Sequence, residues 1–240
     1  MPNWVQTKLT FHGKSNRVNE LLETVKSESD GETNYFDFEK IIPIPESLKI
    51  SSGSSTDLAV DILKYRETGD DSELKEKLKY PWVVKEGITT IKEFIEHCIK
   101  NGNANLDEGE KALQNIKEYG FKDWYEWSIK NWGTKWNTSE SYYEGNTLSF
   151  QTAWSLPESI LVKLSEMFPD ITIGVTYADE DIGSNCGEFQ LVNGNIQNYI
   201  EYDGIQACEV WGYDPADYFP SLMRDRRIGE ILDEDENTEE

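Results

Sequence analysis

The sequence predicts an α+β protein: a ferredoxin-like (split β-α-β) sandwich with a helical insertion and an extra C-terminal hairpin. Three observations lead to this fold class. A strand, a helix and a second strand follow one another over residues 5–39, and the same order recurs over residues 147–178. Amphipathic helices separate the two units, and a hairpin signal follows the second unit. Two right-handed β-α-β units that share one sheet make a ferredoxin-like sandwich.

The first unit opens with apolar and polar residues in alternation from Val5 to His12, which is the period of a half-buried strand. Apolar residues then recur at helical spacing from Val18 to Val25. A weaker strand is predicted over residues 35–39, before the proline-containing segment IIPIPES.

The insertion, residues 54–136, is predicted to be helical throughout. Residues 91–99 and 112–119 each carry an apolar stripe at helical spacing, and Gly102 and Gly120 follow them as C-cap signals. Five of the eight tryptophans fall between residues 124 and 154. Their spacing is typical of residues that pack a core, so most of them are expected in the join between the insertion and the sheet.

The second unit contains Ser155-Leu156-Pro157-Glu158, which reads as a capping box that opens a helix. Asn193-Gly194 then predicts a hairpin between residues 188–192 and 196–202. These signals give the domain organisation: a ferredoxin-like domain at 1–53 and 137–203, the insertion at 54–136, and an acidic C-terminal extension at 204–240. Residues 230–240 are expected to be disordered, because they are highly charged and poor in apolar residues.

Acidic residues dominate the end of the chain. The formal net charge is −23, and residues 137–240 carry twenty-two Asp and Glu against four Lys and Arg. Lys163 is the sole basic residue between Lys135 and Arg224. Because binding to a nucleic-acid backbone requires Lys and Arg, this balance argues against direct nucleic-acid binding and favours a partner with a basic surface.

Cysteine usage and the N-terminus indicate a cytoplasmic protein. Cys98, Cys186 and Cys208 are widely spaced and form no CxxC pair, which is typical of reduced thiols. The N-terminal segment lacks the apolar core of a signal peptide, and no stretch approaches eighteen apolar residues, so no membrane association is expected.

Catalytic signatures are weak. The two histidines, His12 and His97, are expected on polar faces, and there is no Walker loop or GxGxxG. The acidic run at residues 179–181 resembles a metal-binding loop, yet it lacks EF-hand spacing. We therefore expect no enzymatic activity, no cofactor and no bound metal.

Four strings carry a resemblance to a known family: MPNWVQTKLTFHG, FDFEKIIPIPE, GFKDWYEWSIKNWGTKWN and FQTAWSLPE. In this order they resemble the YubB-like family of phage and conjugative-plasmid proteins, over residues 1 to about 200. The resemblance implies a ferredoxin-like domain and a mobile-element context in a bacterial host. It supplies no catalytic residues, because the family has no established activity.

Three functions follow as hypotheses. The first is a non-enzymatic protein that inhibits a host defence complex of the CRISPR or restriction type by imitating nucleic-acid phosphates. Its predicted partner-binding residues are the carboxylates Asp179, Glu180, Asp181, Glu188, Glu201, Asp203 and Asp214. The second is a small-molecule or nucleotide binder that uses the tryptophan-rich segment at Trp132, Lys135 and Trp136. The third is a metal-dependent hydrolase built on acidic residues. The oligomeric state is left open.

Overall fold

A computed structural model describes residues 2–221 and residue 223. It divides the chain into two compact units: residues 1–43 with 130–240, and residues 44–129. The sequence predicts these boundaries at 53/54 and 136/137, so the helical unit begins and ends earlier than predicted. The predicted disorder of residues 230–240 lies outside the described residues.

The elements are numbered in chain order. The strands are β1 (Trp4–His12), β2 (Ser27–Ser29), β3 (Glu32–Asn34), β4 (Ser139–Glu144), β5 (Thr147–Ala153), β6 (Thr172–Asp179), β7 (Gly187–Val192) and β8 (Asn195–Glu201). The helices are α1 (Ser15–Val25), α2 (Ser54–Thr68), α3 (Ser72–Lys77), α4 (Pro81–Lys85), α5 (Ile91–Lys100), α6 (Leu106–Tyr119), α7 (Trp124–Trp132), α8 (Glu158–Met167), α9 (Gly204–Trp211) and α10 (Pro215–Tyr218). The boundary between the units at 129/130 falls within α7.

The sheet of the first unit confirms the predicted fold class. Among the described residues it has six strands in the order β4-β5-β1-β6-β7-β8, and every neighbouring pair is antiparallel. The elements β1, α1, β4, β5, α8 and β6 form the β-α-β-β-α-β order of a ferredoxin-like fold. The extra hairpin, β7–β8, extends the sheet beyond β6. Its turn has positive φ at Asn193 and Gly194, 47° and 77°, as a type I′ turn requires.

The second strand of the fold lies in a different place from the predicted one. Residues 35–39 form no strand, because Asp37 caps a short 3₁₀ turn at Phe38–Lys40. Phe36 and Phe38 are fully buried, and their rings lie 4.7 and 6.3 Å from that of Phe150. The apolar alternation that predicted a strand therefore anchors a loop to the core. Since β4 takes the strand's place, the insertion interrupts the first β-α-β unit instead of separating two complete units.

The core of the first unit lies on one face of the sheet. Along β1, the odd-numbered residues from Val5 to Phe11 are all buried, and the pairing register places Leu9 between Leu148 of β5 and Val175 of β6. The apolar residues of α1 and α8 are also buried: Val18, Leu21, Val25, Ile160, Leu161 and Leu164. This burial of one sheet face together with helix residues is the helix-on-sheet packing of an α+β domain.

The second unit is helical, as predicted. Residues from α2, α3, α4 and α5 form one buried cluster that includes Ile62, Leu74, Val83 and Phe94. A capping box at Thr90 begins α5, and Gly120, with φ of 80°, ends α6. Helices α2 and α6 approach closely at Gly109, where an added Cβ would lie 2.7 Å from the Cβ of Ala59.

Residues 204–221 pack on the first unit instead of forming a separate body. Ala207 and Val210 of α9 are buried with Ala178 and Cys186 at the end of the sheet. The ring of Phe219 covers Gly204, where an added Cβ would lie 2.4 Å from the ring. No helix within the described ranges is both long and apolar enough to cross a membrane.

Candidate functional site

The antiparallel topology brings most of the predicted partner-binding carboxylates to one end of the sheet. There β6 ends, β7 begins and β8 ends, because Tyr177 pairs with Gly187 and Gly187 pairs with Glu201. We call this region the acidic end. It contains the following residues: Asp179, Glu180, Asp181, Glu188, Glu201 and Asp203.

Asp179 organises the acidic end from within. It is 6% exposed, and its Oδ1 accepts hydrogen bonds from the backbone N–H of Asp181 at 2.9 Å and from Nδ2 of Asn3 at 3.4 Å. The indole N–H of Trp211 donates to the carbonyl oxygens of Ala178 and Asp179, at 3.1 and 3.0 Å. The carboxylate of Asp179 therefore shapes the turn after β6 and is too deeply buried to meet a partner.

Two hydrogen bonds, one donated by Tyr202 and one by Cys186, connect β7 and β8 at the same end. The hydroxyl of Tyr202 donates to Oε2 of Glu188 at 2.6 Å, and the thiol of Cys186 donates to the carbonyl oxygen of Tyr202 at 3.3 Å. Glu188 is consequently half-buried and engaged within the protein.

The carboxylates make this end of the sheet electrostatically negative. They contribute to raised pKa values of two nearby weak acids, Cys186 and Tyr202. Burial and then the charges of Glu201, Asp203 and Asp179 raise the pKa of the Cys186 thiol. Burial and the hydrogen bond to Glu188 raise the pKa of Tyr202 to about 12. Neighbouring carboxylates disfavour a further negative charge, so their effect on these two groups adds to that of burial.

Two more groups show the same influence on the side of α9 and α10. Burial raises the pKa of Tyr213, with further contributions from Tyr218 and Glu180. Burial and the charge of Asp214 raise the pKa of Cys208.

The five remaining predicted carboxylates fall into two groups, according to whether they cap a helix. Asp203 and Asp214 cap α9 and α10 by accepting backbone N–H bonds, so each has a structural role although it is exposed. Glu180, Asp181 and Glu201 are exposed and serve as no helix cap. These three carboxylates are the ones best placed to meet a partner.

The tryptophan-rich segment divides into buried and exposed rings. Trp132 is 3% exposed, packs edge-on against Phe38 at 5.5 Å, and donates its indole N–H to the carbonyl oxygen of Ile42 at 2.8 Å. Trp127 is buried as well. Trp136 and Trp154 are 37% and 44% exposed. Trp132 is therefore part of the core and not of the predicted aromatic surface.

Trp136, Trp154, Trp4 and Lys135 form what we call the tryptophan patch. The ammonium of Lys135 lies 4.3 Å from the ring centre of Trp136 and 5.2 Å from that of Trp154. The rings of Trp4 and Trp136 are 6.3 Å apart. Trp154 has a φ of 69°, which is unfavourable for a bulky side chain and is held in place by the surrounding fold.

Three hydrogen bonds made by Asn3 and Trp4 connect the tryptophan patch to the acidic end. The backbone N–H of Trp154 donates to the carbonyl oxygen of Asn3 at 2.8 Å, and the side chain of Asn3 donates to Asp179. The backbone N–H of Glu180 donates to the carbonyl oxygen of Trp4 at 2.8 Å. The two features consequently form one continuous acidic and aromatic surface at one end of the sheet.

Sequence reasoning missed two parts of this surface. Trp4 lies one residue before the predicted strand, which begins at Val5, and the structure places it at the start of β1. The second part is the stack of the rings of Trp211, Tyr213 and Tyr218, with centroids 5.8 and 5.5 Å apart. These rings are spread over the end of α9, the segment after Gly212 and helix α10. Their spacing in the sequence therefore matches neither a helical nor a strand period.

The possible metal ligands and the two histidines are the remaining candidate groups. Across residues 2–221 and 223, no group of three or more His, Cys, Asp or Glu side chains is arranged to hold a metal ion. His12 is exposed at the end of β1, and the ring of His97 lies 5.7 Å from that of Trp82.

One comparison with known proteins agrees with the ferredoxin-like fold of the first unit. A family model described as a ferredoxin-like domain in Api92-like protein matches residues 131–218, from the end of α7 to the end of α10. Among solved structures, the chain is similar to a protein api92 from Yersinia pseudotuberculosis. The two are 12% identical, with a TM-score of 0.42, and the match covers 84% of this chain and 98% of that chain. No curated protein matches the chain.

Proposed function

We propose that the protein is a non-enzymatic inhibitor of a host defence complex, of the CRISPR or restriction type, and that it binds the basic nucleic-acid channel of that complex. The acidic end would occupy the place of nucleic-acid phosphates. The mobile-element setting of this proposal rests on the resemblance to YubB-like proteins, and the mode of binding rests on the charge and geometry of the first unit.

The observation that carries the proposal is the gathering of carboxylates at one end of the sheet. Residues 164–223 contain eleven Asp and Glu and no Lys or Arg. The topology collects six of those carboxylates at one end of the sheet. A surface of this kind attracts a basic partner over a long range, with a strength that falls as salt is added.

The tryptophan patch supports protein binding at the same end. Large exposed aromatic side chains contribute much of the binding energy in protein interfaces. Its use as a base-stacking platform is less favoured, since the ammonium of Lys135 already lies over the rings of Trp136 and Trp154. The metal-dependent hydrolase stays an untested prediction.

Competition with DNA tests the proposal. Purified CRISPR effector complexes and restriction endonucleases would be loaded with fluorescent target DNA, and the protein would be added at low salt and at about 0.5 M salt. We expect displacement of DNA from at least one complex, and weaker displacement at high salt. A protein that binds none of them, or binds while the DNA stays bound, would contradict the proposal.

A further inference from the structure

The helical unit contains a cavity that the proposed function does not use. Its volume is about 590 Å³, and it lies between the start of α2, the end of α3, and helices α4 and α5. This volume falls within the ~300–1,000 Å³ range of small-molecule sites. All its lining residues belong to the unit formed by residues 44–129.

One wall of the cavity is aromatic. The ring of Trp82 lies 6.0 Å from that of Phe94 and 5.7 Å from that of His97, yet Trp82 remains 38% exposed. Tyr80 also lines the cavity and is 47% exposed. Because two neighbouring rings fix the indole while part of its surface stays open, it offers a stacking surface to a planar ligand.

The charged side chains that line the cavity, Asp57 and Lys77, are both paired, and the backbone N–H groups at the start of α2 lie beside them. Lys77 pairs with Asp61 at 3.0 Å, and Lys122 pairs with Asp57, so these four charges cancel. Helix α2 has fifteen residues, and its N-cap is Gly53, which has no side chain to accept the first backbone N–H groups. The positive end of the helix dipole is therefore what remains at Ser54 and Ser55.

Lys77 supplies further hydrogen-bond donors at this side of the cavity. Its ammonium has three N–H donors, and Asp61 is its described partner, so an acceptor in the cavity would find a donor without breaking the ion pair. Ser54, Ser55 and Asn103 also line the cavity, as does Asp57, whose carboxylate is paired with Lys122. An anionic group thus meets donors at one side of the cavity, and an aromatic wall borders the same space.

We propose that this cavity binds a small ligand that combines a planar ring with an anionic group, as a purine mononucleotide does. The ring stacks on Trp82, and the anion binds at Lys77 and the start of α2. This site lies in a different unit from the acidic end, so it does not depend on the proposed inhibition of a defence complex.

Titration of the full chain with AMP tests the site, followed by the indole N–H signals in two-dimensional NMR. Adenosine supplies the ring without the anion, and ribose 5-phosphate supplies the anion without the ring. We expect a saturable shift of the Trp82 signal with AMP, and affinities for the two fragments at least about tenfold weaker.

Matched variants, titrated with AMP by calorimetry because Trp82→Leu lacks the Trp82 signal, identify the residues involved. Trp82→Leu should abolish AMP binding, and Lys77→Gln should weaken it about tenfold. Trp136→Leu removes an equally exposed tryptophan of the other unit, and Lys75→Gln removes a neighbouring charge of α3, so both should bind as the unaltered protein does. Absence of any Trp82 shift with AMP, or AMP binding that persists in Trp82→Leu while that variant keeps its thermal unfolding temperature, would overturn the proposal.

Discussion

The side-chain amide of Asn3 donates a hydrogen bond to the carboxylate of Asp179, with 3.4 Å between the two atoms. The residues are far apart in the chain, yet this contact joins the segment before β1 to the end of β6. Since the carbonyl oxygen of Asn3 also accepts from Trp154, the same residue links the acidic end to the tryptophan patch. The link between the two parts of the candidate surface therefore lies at the ends of β5, β1 and β6, which are neighbouring strands of the sheet.

The titration of Tyr202 tests whether the carboxylates act together. Its pKa, raised to about 12 by burial and by Glu188, should fall towards the ordinary value of 10.0 in Glu188→Gln. Glu32→Gln, on the distant β2–β3 hairpin, should leave it unchanged. Carbon-13 NMR of the tyrosine ring measures each pKa. An equal pKa in Glu188→Gln and the unaltered protein would show that Glu188 has no such influence.

The same shift predicts how stability depends on pH. Because folding raises the pKa of Tyr202, the neutral phenol is favoured in the folded state. The resulting stabilisation is complete below pH 10.0 and is lost as the pH rises through about 12. The advantage of the unaltered protein over Tyr202→Phe in denaturant unfolding should therefore shrink across this window. A constant advantage from pH 9 to pH 12 would contradict the assignment.

Trp154 provides a test of backbone strain. Its φ of 69° suits glycine better than any residue with a Cβ, so Trp154→Gly should be more stable than Trp154→Ala by about 1 kcal/mol. Asn19, exposed within α1, is the control, because glycine there should be less stable than alanine by a similar amount. Chemical denaturation measures all four variants. The same sign at both positions would refute the positive φ at Trp154.

Gly109 tests the close packing of α2 and α6. Although alanine normally favours a helix, Gly109→Ala should destabilise the protein by about 1–3 kcal/mol, because its methyl group would meet Ala59. The double variant Ala59→Gly with Gly109→Ala should recover part of this loss, and Lys111→Ala, on the exposed face of α6, should change little. Thermal unfolding gives the comparison, and a higher unfolding temperature for Gly109→Ala would contradict the packing.

The tryptophan patch makes a prediction about partner binding. Trp136→Ala should weaken binding to the defence complex about tenfold or more, because exposed tryptophans at an interface often contribute that much. Trp82→Ala removes a tryptophan of nearly equal exposure from the helical unit and should leave this binding unchanged. Each variant would be titrated over the same complex fixed to a sensor surface, and its affinity would be measured. Equal losses of affinity in the two variants would show that the patch is not part of the interface.

The sequence predicted features that depend on local signals. Asn193-Gly194 specifies its hairpin because both residues tolerate a positive φ. The apolar stripe of α5 likewise places Phe94, Ile95 and Cys98 in the core, as the helical period requires.

Features that depend on distant contacts could not be predicted. The alternating apolar residues at 35–39 resemble a strand, and only the contacts of Phe36 and Phe38 with Phe150 reveal an anchored loop. The predicted capping box at Ser155 is wrong, because its hydroxyl donates to the carbonyl oxygen of Gly133 and α8 begins after Pro157. The acidic end arises from strand register, which brings the turn after β6 beside the end of β8.

The most direct test of the central claim compares two charge-matched triple variants in their binding to the defence complex. Glu180→Gln with Asp181→Asn and Glu201→Gln removes three exposed carboxylates of the acidic end, and Glu28→Gln with Asp30→Asn and Glu32→Gln removes three from the exposed β2–β3 hairpin. Each changes the net charge equally. Affinity would be measured by calorimetry over a range of salt concentrations. We predict that the first variant binds at least about tenfold more weakly and with less salt dependence, and that the second binds as the unaltered protein does. Equal affinities for the two variants would contradict the account.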